Sequence, residues 1–354
     1  MNRLERMRQQ MLEEQIDAYV VIRPENGRYL SGFSGGEATL YISSDKALLL
    51  TDFRYIEQAK AQAPDFEVIK VGQQDHFATL AEVGQQARRV GFEGDYITYM
   101  DFGKLKKAFL QAEILSLPDL VSHLRSVKDE SEIKLIRQAV TIADDAFADV
   151  LRSIEIGLTE EEIGLNLEFS MRRAGASGGS FEFIIASGIR SAMPHGTAST
   201  KRVQLGEFLT MDFGAIYQGY CSDITRTVFL GNPEDKHQEV YEIVLAAQRA
   251  GIKAVAPGRT GKEVDAVARK IIEEAGYGEY FGHGLGHSVG LAIHEGPNLN
   301  MREDRVLEPG MVVTVEPGIY IPDWGGVRIE DIVLVTENGC EVLTRAPKEF
   351  IILE

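Results

Sequence analysis

Phe208-Leu209-Thr210-Met211-Asp212-Phe213-Gly214 and, after Ala215 to Ser222, Asp223-Ile224-Thr225-Arg226-Thr227-Val228-Phe229 decide how the second half of this chain is read. Both runs are rich in β-branched and aromatic residues and enclose a polar, glycine-containing interval, which predicts an antiparallel hairpin. A turn near Tyr217-Gln218 sets Asp212 opposite Asp223. Like charges at facing positions, with Cβ atoms ~4.5–5.5 Å apart, are destabilising. Either a positive partner sits between them or the register differs.

A second pair of runs has the same form. Met311-Val312-Val313-Thr314-Val315-Glu316 and Val327-Arg328-Ile329-Glu330-Asp331-Ile332-Val333 flank Pro317 to Gly326. A loop centred on Asp323 sets Glu316 opposite Glu330. Singly, each acid pair reads as a solvated strand end. Together, each beside strongly apolar residues, they predict four converging carboxylates, whose unpaired burial would cost several kcal/mol each.

Between the hairpins lies Gly282-His283-Gly284-Leu285-Gly286-His287-Ser288-Val289-Gly290-Leu291-Ala292-Ile293-His294-Glu295. So many glycines make a helical His283/His287 zinc pair improbable. The run is not a dinucleotide fingerprint either, because Val289 stands where the third glycine is required. The glycines are expected to let backbone approach a ligand or metal closely. Four carboxylates and an imidazole form a hard donor set that suits Mn, Co or Fe and admits Zn. Four negative charges match two divalent ions, between which a bridging water acidified toward pKa ~7 becomes a nucleophile. Cys221, two residues from Asp223, lacks a base partner and reads as a packed thiol.

Outward from this centre, the 354 residues are 44% hydrophobic and carry a net charge of −17, net −3 over residues 1–125 and net −14 over 126–354. That acidity argues against a nucleic-acid binder, which needs Lys and Arg on phosphates. Two cysteines exclude a disulfide framework. A charged start without an apolar core and the lack of an ~18-residue apolar run point to neither signal peptide nor membrane span, so a cytoplasmic protein is expected.

Leu4, Met7, Met11, Leu12 and Ile16 predict an opening amphipathic helix. Apolar runs at 18–22, 39–42 and 47–50, alternating with helical stretches near 53–62, 75–89 and 101–111, predict a small α/β domain over 1–125. Over 126–354, a helix capped at Asp129 or Ser131 carries Ile133, Ile136, Val140, Ala143 and Phe147. Further helices at 159–174, 234–255 and 261–275, with strands at 181–186, 207–213, 223–230, 311–316 and 327–335, make this half α+β.

The ordered pieces Pro194-His195-Gly196, Met211 to Gly214, Ser222 to Thr227, Gly282 to Glu295, Val315-Glu316-Pro317-Gly318-Ile319-Tyr320 and Gly326 to Asp331 resemble the pita-bread metallopeptidases. The likeness is to their Xaa-Pro peptidase branch, proline dipeptidase and aminopeptidase P. Asn26 to Phe33 and Asp52-Phe53-Arg54-Tyr55 resemble that group's amino-terminal domain. The resemblance implies a creatinase-like (ribonuclease-H-like) α/β domain followed by a pita-bread catalytic domain, α+β overall. It implies that Asp212, Asp223, His287, Glu316 and Glu330 bind two divalent ions, with Mn or Co favoured and Zn or Fe admitted, and that Asp223 and Glu330 bridge them. Glu316 would also serve as base. His195, His283 and His294 match substrate-contacting or intermediate-stabilising histidines, and Arg328 a supporting arginine. The implied substrate is an Xaa-Pro dipeptide or short proline-containing peptide, and the implied assembly a homodimer whose amino-terminal domain contributes contacts and gating. Ser288 and Ala292 depart from common family residues without removing a ligand.

Three other readings compete. Methionine aminopeptidases lack the added amino-terminal domain. Creatinase lacks the metal ligands. A non-catalytic peptide-binding relative is expected to have lost at least one ligand.

Overall fold

A computed structural model describes residues 1–72 and 75–354, with only the backbone at Asp119. The chain divides into two compact units, Met1–Arg125 and Ser126–Glu354.

In the first unit, a helix at Arg3–Glu13 buries Leu4, Met7 and Met11. Leu12, expected on that face, is 70% exposed, since it lies about 100° round the helix from Met11. A six-stranded mixed sheet runs in the order Glu67–Lys70, Ala47–Thr51, Thr39–Ser43, Ala18–Val21, Arg89–Phe92, Glu113–Ser116. Its core is built from Val20, Tyr41, Leu48, Leu50, Val90 and Phe92 against Phe77, Leu80, Leu105 and Phe109. The stretch expected to be helical to residue 89 stops at Val83 and returns as the buried parallel strand Arg89–Phe92. Val90, Gly91 and Phe92 are buried in succession and carry no alternation, so the strand has no period-two signal. The helix Pro24–Ser31 was also not anticipated.

In the second unit, four long helices fall at Glu130–Leu151, Glu160–Arg173, Asp235–Ala254 and Gly261–Glu274. Three of them start with a reciprocal capping box, Asp129/Glu132, Thr159/Glu162 and Thr260/Glu263, of which the sequence reading offered only the Asp129 cap. Ile136, Val140, Ala143 and Phe147 are buried as the periodicity requires. The helices are segregated from antiparallel sheets, which is α+β architecture.

Two sheets matter most for the site. One orders Ile352–Leu353, Ile224–Leu230, Glu207–Phe213 and Ile184–Ser187. Its Leu209, Met211 and Phe213 pack among Phe147, Ile163 and Leu167 in one core. Alternation therefore sends Phe208, Thr210 and Asp212 to the opposite face, where Phe208 joins Val240 and Tyr241 in a second core. The other sheet orders Glu295–Leu299, Gly286–Ser288, Val312–Val315, Asp331–Thr336 and Gly339–Val342. The long strand expected over 327–335 is really two, Gly325–Arg328 and Asp331–Thr336. Pro317 has no N–H for the ladder, and Glu330 N–H donates instead to Thr225 O at 3.1 Å.

Close backbone approach explains two glycines. An added Cβ on Gly286 would lie 2.1 Å from Thr314 O, and one on Gly214 would lie 1.9 Å from Ser222 O. The near neighbour of each is backbone, and in the histidine-rich run Gly284 and Gly286 also line the cavity described below. Gly286→Ala should therefore lower the melting temperature by several degrees, since overpacking costs about 1–3 kcal/mol. Gly282→Ala, with no atom within 4 Å of its added Cβ, should leave it near wild type in thermal unfolding.

Candidate metal centre

The first acid pair sits in a different register from the one the sequence suggested. Thr225, not Asp223, faces Asp212, and Tyr217 pairs with Tyr220. The turn is Gln218-Gly219, with φ of 45° and 84°, so both central residues adopt the left-handed region of a tight hairpin. A shift of two residues keeps Asp223 on the face of Asp212, because side chains alternate with period two. It also moves the acids from facing to diagonal positions, which weakens their repulsion.

The second pair keeps the expected register. Val315 faces Asp331 and Gly318 faces Arg328, so Glu316 stands across from Glu330 at the point where the hairpin passes from one sheet to the next. Asp323, with φ of 58°, forms its tip.

His287 lies on the short strand Gly286–Ser288, and the register shifts between His287 and Ser288. Such a bulge re-aims a side chain. His287 Nδ1 is 3.1 Å from Ser288 O and must donate to it, so Nε2 offers a lone pair. That nitrogen is 3.5 Å from Asp223 Oδ2 and 3.3 Å from Glu316 Oε1. One ligand atom each from Asp223, His287 and Glu330 falls within 4.8 Å of the others.

The carboxylates are half-satisfied in a consistent way. Asp212 Oδ2 accepts from Arg328 Nη2 at 2.5 Å, Glu330 Oε2 from Thr225 Oγ1 at 2.7 Å, and Glu316 Oε1 from Thr314 Oγ1 at 3.0 Å. Asp212 Oδ1, Asp223 Oδ1 and Glu330 Oε1 are buried and have no hydrogen-bond partner among the described residues. Buried acceptors are normally paired. Three orphaned oxygens beside an imidazole lone pair fit divalent cations. Burial, compounded by the Asp212 and Glu316 charges, holds Asp223 well above the usual carboxylate range. Burial and Asp223 do the same to Glu330. Asp212 is raised by burial, against the opposing Arg328 charge.

Arg328 is buried and also reaches Tyr320 OH at 2.9 Å, Pro194 O at 3.2 Å and Thr225 Oγ1 at 3.1 Å. Tyr320 OH lies 2.9 Å from His283 Nε2, while His283 Nδ1 lies 2.7 Å from Gly284 O. The consistent assignment runs from Arg328 N–H to Tyr320 oxygen and from Tyr320 O–H to His283 Nε2. Burial pushes the Tyr320 hydroxyl up to about 12 and lowers His283. Burial and the neighbouring His287 lower His294, whose ring centroid is 4.4 Å from that of His287.

All nine sequence-predicted residues, His195, Asp212, Asp223, His283, His287, His294, Glu316, Arg328 and Glu330, line one cavity of about 510 Å³. Phe181, Ile184, Pro194 and Ile293 supply its apolar wall. Sequence reasoning missed Tyr320, Thr225 and Thr314 as partners. Tyr320 stood inside the quoted run after Glu316, and Thr314 two residues before Glu316, on the same strand face.

Comparison with known proteins gives two family matches. Residues 134–337 match the model of metallopeptidase family M24, and residues 3–127 match the creatinase/prolidase N-terminal domain. An Xaa-Pro dipeptidase of Pyrococcus furiosus is 42% identical over 350 residues, covering 99% of both chains. Among solved structures, an Xaa-Pro dipeptidase from Bacillus anthracis superposes with a TM-score of 0.95 at 48% identity, covering 99% of each chain. An X-Pro aminopeptidase from Thermotoga maritima gives 0.91 at 42% identity, covering 99% of this chain and 100% of its own.

The raised carboxylates set a pH signature. A folded-state pKa above its unfolded value stabilises the metal-free protein at low pH and is lost as pH rises through it. Divalent ions compete with those protons. The melting-temperature gap between Mn-loaded and metal-free protein should therefore be small near pH ~4 and widen toward neutrality. At a hundredfold excess over Kd each bound ion should add about 2.7 kcal/mol of stability. Calorimetry in buffers of differing ionisation heat should register proton release; a gap independent of pH would refute the assignment.

Proposed function

This chain belongs to metallopeptidase family M24, and from that premise we propose that it hydrolyses the Xaa-Pro bond at the amino terminus of dipeptides or short peptides. The observation that carries this reading is the set of orphaned, buried carboxylate oxygens around the His287 lone pair, inside a cavity that also holds two further neutral imidazoles. The names of the relatives in Pyrococcus, Bacillus and Thermotoga support the proline specificity.

We assign Asp212, Asp223, His287, Glu316 and Glu330 to holding two divalent ions, Mn or Co by preference. Bound there, the ions would polarise the scissile carbonyl and acidify water. Glu316 takes the proton of the attacking water at its carboxylate. It is suited to this because its side chain, 17% exposed, is more open than those of Asp212 and Asp223. His195 and His294 donate N–H to the developing oxyanion. His283 has both ring nitrogens engaged by the protein, so it meets substrate with its ring edge and steadies Tyr320. Arg328 orients Asp212.

An Xaa-Pro bond is a tertiary amide without an N–H, so a site for it needs an apolar enclosure and no acceptor at that nitrogen. Phe181, Ile184, Pro194 and Ile293 can supply the enclosure. We further assign a cytoplasmic location and a homodimer, with residues 1–125 contributing subunit contacts and limiting substrate length. The match of residues 3–127 to the creatinase/prolidase N-terminal domain supports a separate amino-terminal domain.

Release of the first amino acid by Mn- or Co-loaded protein should be measured on paired Xaa-Pro and Xaa-Pro-Yaa peptides with a Met-Ala-Yaa control. Cleavage of the dipeptide alone defines a dipeptidase, and cleavage of the tripeptide an aminopeptidase; turnover of only the control would overturn the proline assignment. Asp223→Asn and Glu330→Gln should each lose activity together with metal content. His195→Ala should keep its metal but lose about 10²–10³-fold in kcat, the cost of one oxyanion donor.

A further inference from the structure

Glu160 is the first residue of the helix Glu160–Arg173 and is fully buried, although nothing in the reaction described above uses it. Its two carboxylate oxygens accept five hydrogen bonds from one loop. Oε1 takes Ser187 N–H at 2.8 Å and Ser187 Oγ at 2.9 Å. Oε2 takes Arg190 Nε at 3.0 Å, Ser199 N–H at 3.2 Å and Ser199 Oγ at 2.6 Å. Arg190 Nη2 then crosses the loop to Thr197 O at 2.6 Å. One carboxylate thus pins both ends of the segment from Ser187 to Ser199, and its guanidinium partner braces the middle.

That segment carries Pro194-His195-Gly196. Its far side is held by Arg328, whose Nη1 donates to Pro194 O at 3.2 Å. His195 itself is exposed on the cavity wall, so its place depends on the backbone beneath it. A buried carboxylate with five donors is a costly arrangement to disturb, because each donor would be left unpaired. It acts here as a clasp.

We infer that Glu160 is a positioning residue that fixes the His195 loop, and through it the donor that His195 presents to substrate. This rests on the role given to His195 above. A misplacement of about 1 Å at a reacting group can cost ~10²-fold in rate, and loss of a group that acts only in the transition state lowers kcat without raising KM.

The test compares Mn-loaded wild type, Glu160→Gln, His195→Ala and the double variant on an Xaa-Pro dipeptide, with metal content measured for each. Glu160→Gln should lower kcat ~10–100-fold at unchanged KM and metal content. The double variant should be no slower than His195→Ala alone, because the clasp acts through that histidine. A carboxylate that merely stabilised the fold would give losses that multiply, and that result would overturn the proposal. Arg190→Ala, which removes a brace from the rim, repeats the cycle should Glu160→Gln not fold. Histidine-labelled protein gives an independent readout. The His195 ring resonance, assigned by its loss in His195→Ala, should shift in the Glu160 or Arg190 variant while that of His237 stays put; an unmoved His195 signal also overturns the proposal. A shifted signal beside a fully active His195→Ala would instead sink the catalytic role of His195 and leave the clasp standing.

Discussion

Everything in the second unit answers to one constraint: four carboxylates are kept close together on the wall of one cavity, where burial and the neighbouring acid charges oppose ionisation of Asp212, Asp223 and Glu330. Such a group has three ways out: to take up a proton, to find a cation, or to be tied by donors. The fold uses ties sparingly. Asp212, Glu316 and Glu330 each receive one side-chain hydrogen bond, from Arg328, Thr314 and Thr225 respectively, and their other capacity faces the cavity. More donors would make the metal-free protein more comfortable and bind cations less well. The same electrostatic discomfort that raises Asp212, Asp223 and Glu330 would be relieved by a cation.

Arg328 carries much of this balance. Its guanidinium touches a carboxylate, a phenol, a threonine hydroxyl and the Pro194 carbonyl, linking Asp212, the Tyr320–His283 pair and the His195 loop. A planar fork with five donors can serve four partners at fixed angles, whereas an ammonium cannot. Thr225 works similarly on a smaller scale. Its hydroxyl donates to Glu330 and accepts from Arg328, while its carbonyl accepts from Glu330 N–H. The two hairpins are joined where these residues meet the acids of the opposite hairpin, Arg328 on Asp212 and Thr225 on Glu330.

Much of this was legible in the chain. The helix after Asp129 announced itself through its cap and its apolar periodicity, and the Glu316/Glu330 register followed from the centring of its loop on Asp323. The Asp212/Asp223 register did not, because the turn prefers left-handed backbone at Gln218-Gly219, one residue further on than symmetry of the acids suggested. Arg89–Phe92 was hidden because three successive buried residues, Val90 to Phe92, make no alternating pattern. Tyr320, Thr225, Thr314 and Glu160 were invisible as site residues for another reason. Their parts depend on contacts made across the fold, and a hydroxyl or carboxylate in a list of letters does not say what it will meet.

The stitching between hairpins has a further consequence. Arg328 and Asp212 are 116 residues apart along the chain, and Thr225 and Glu330 are 105 apart. Contacts of that span are the dearest in loop entropy and depend on the whole topology being in place. Either hairpin excised as a peptide would carry two acids but none of the donors that the other half lends it. The centre is thus not a portable motif that could be grafted by copying a stretch of sequence. It is a property of the closed topology, and a change that loosens the packing anywhere between the two hairpins reaches the chemistry without touching a ligand.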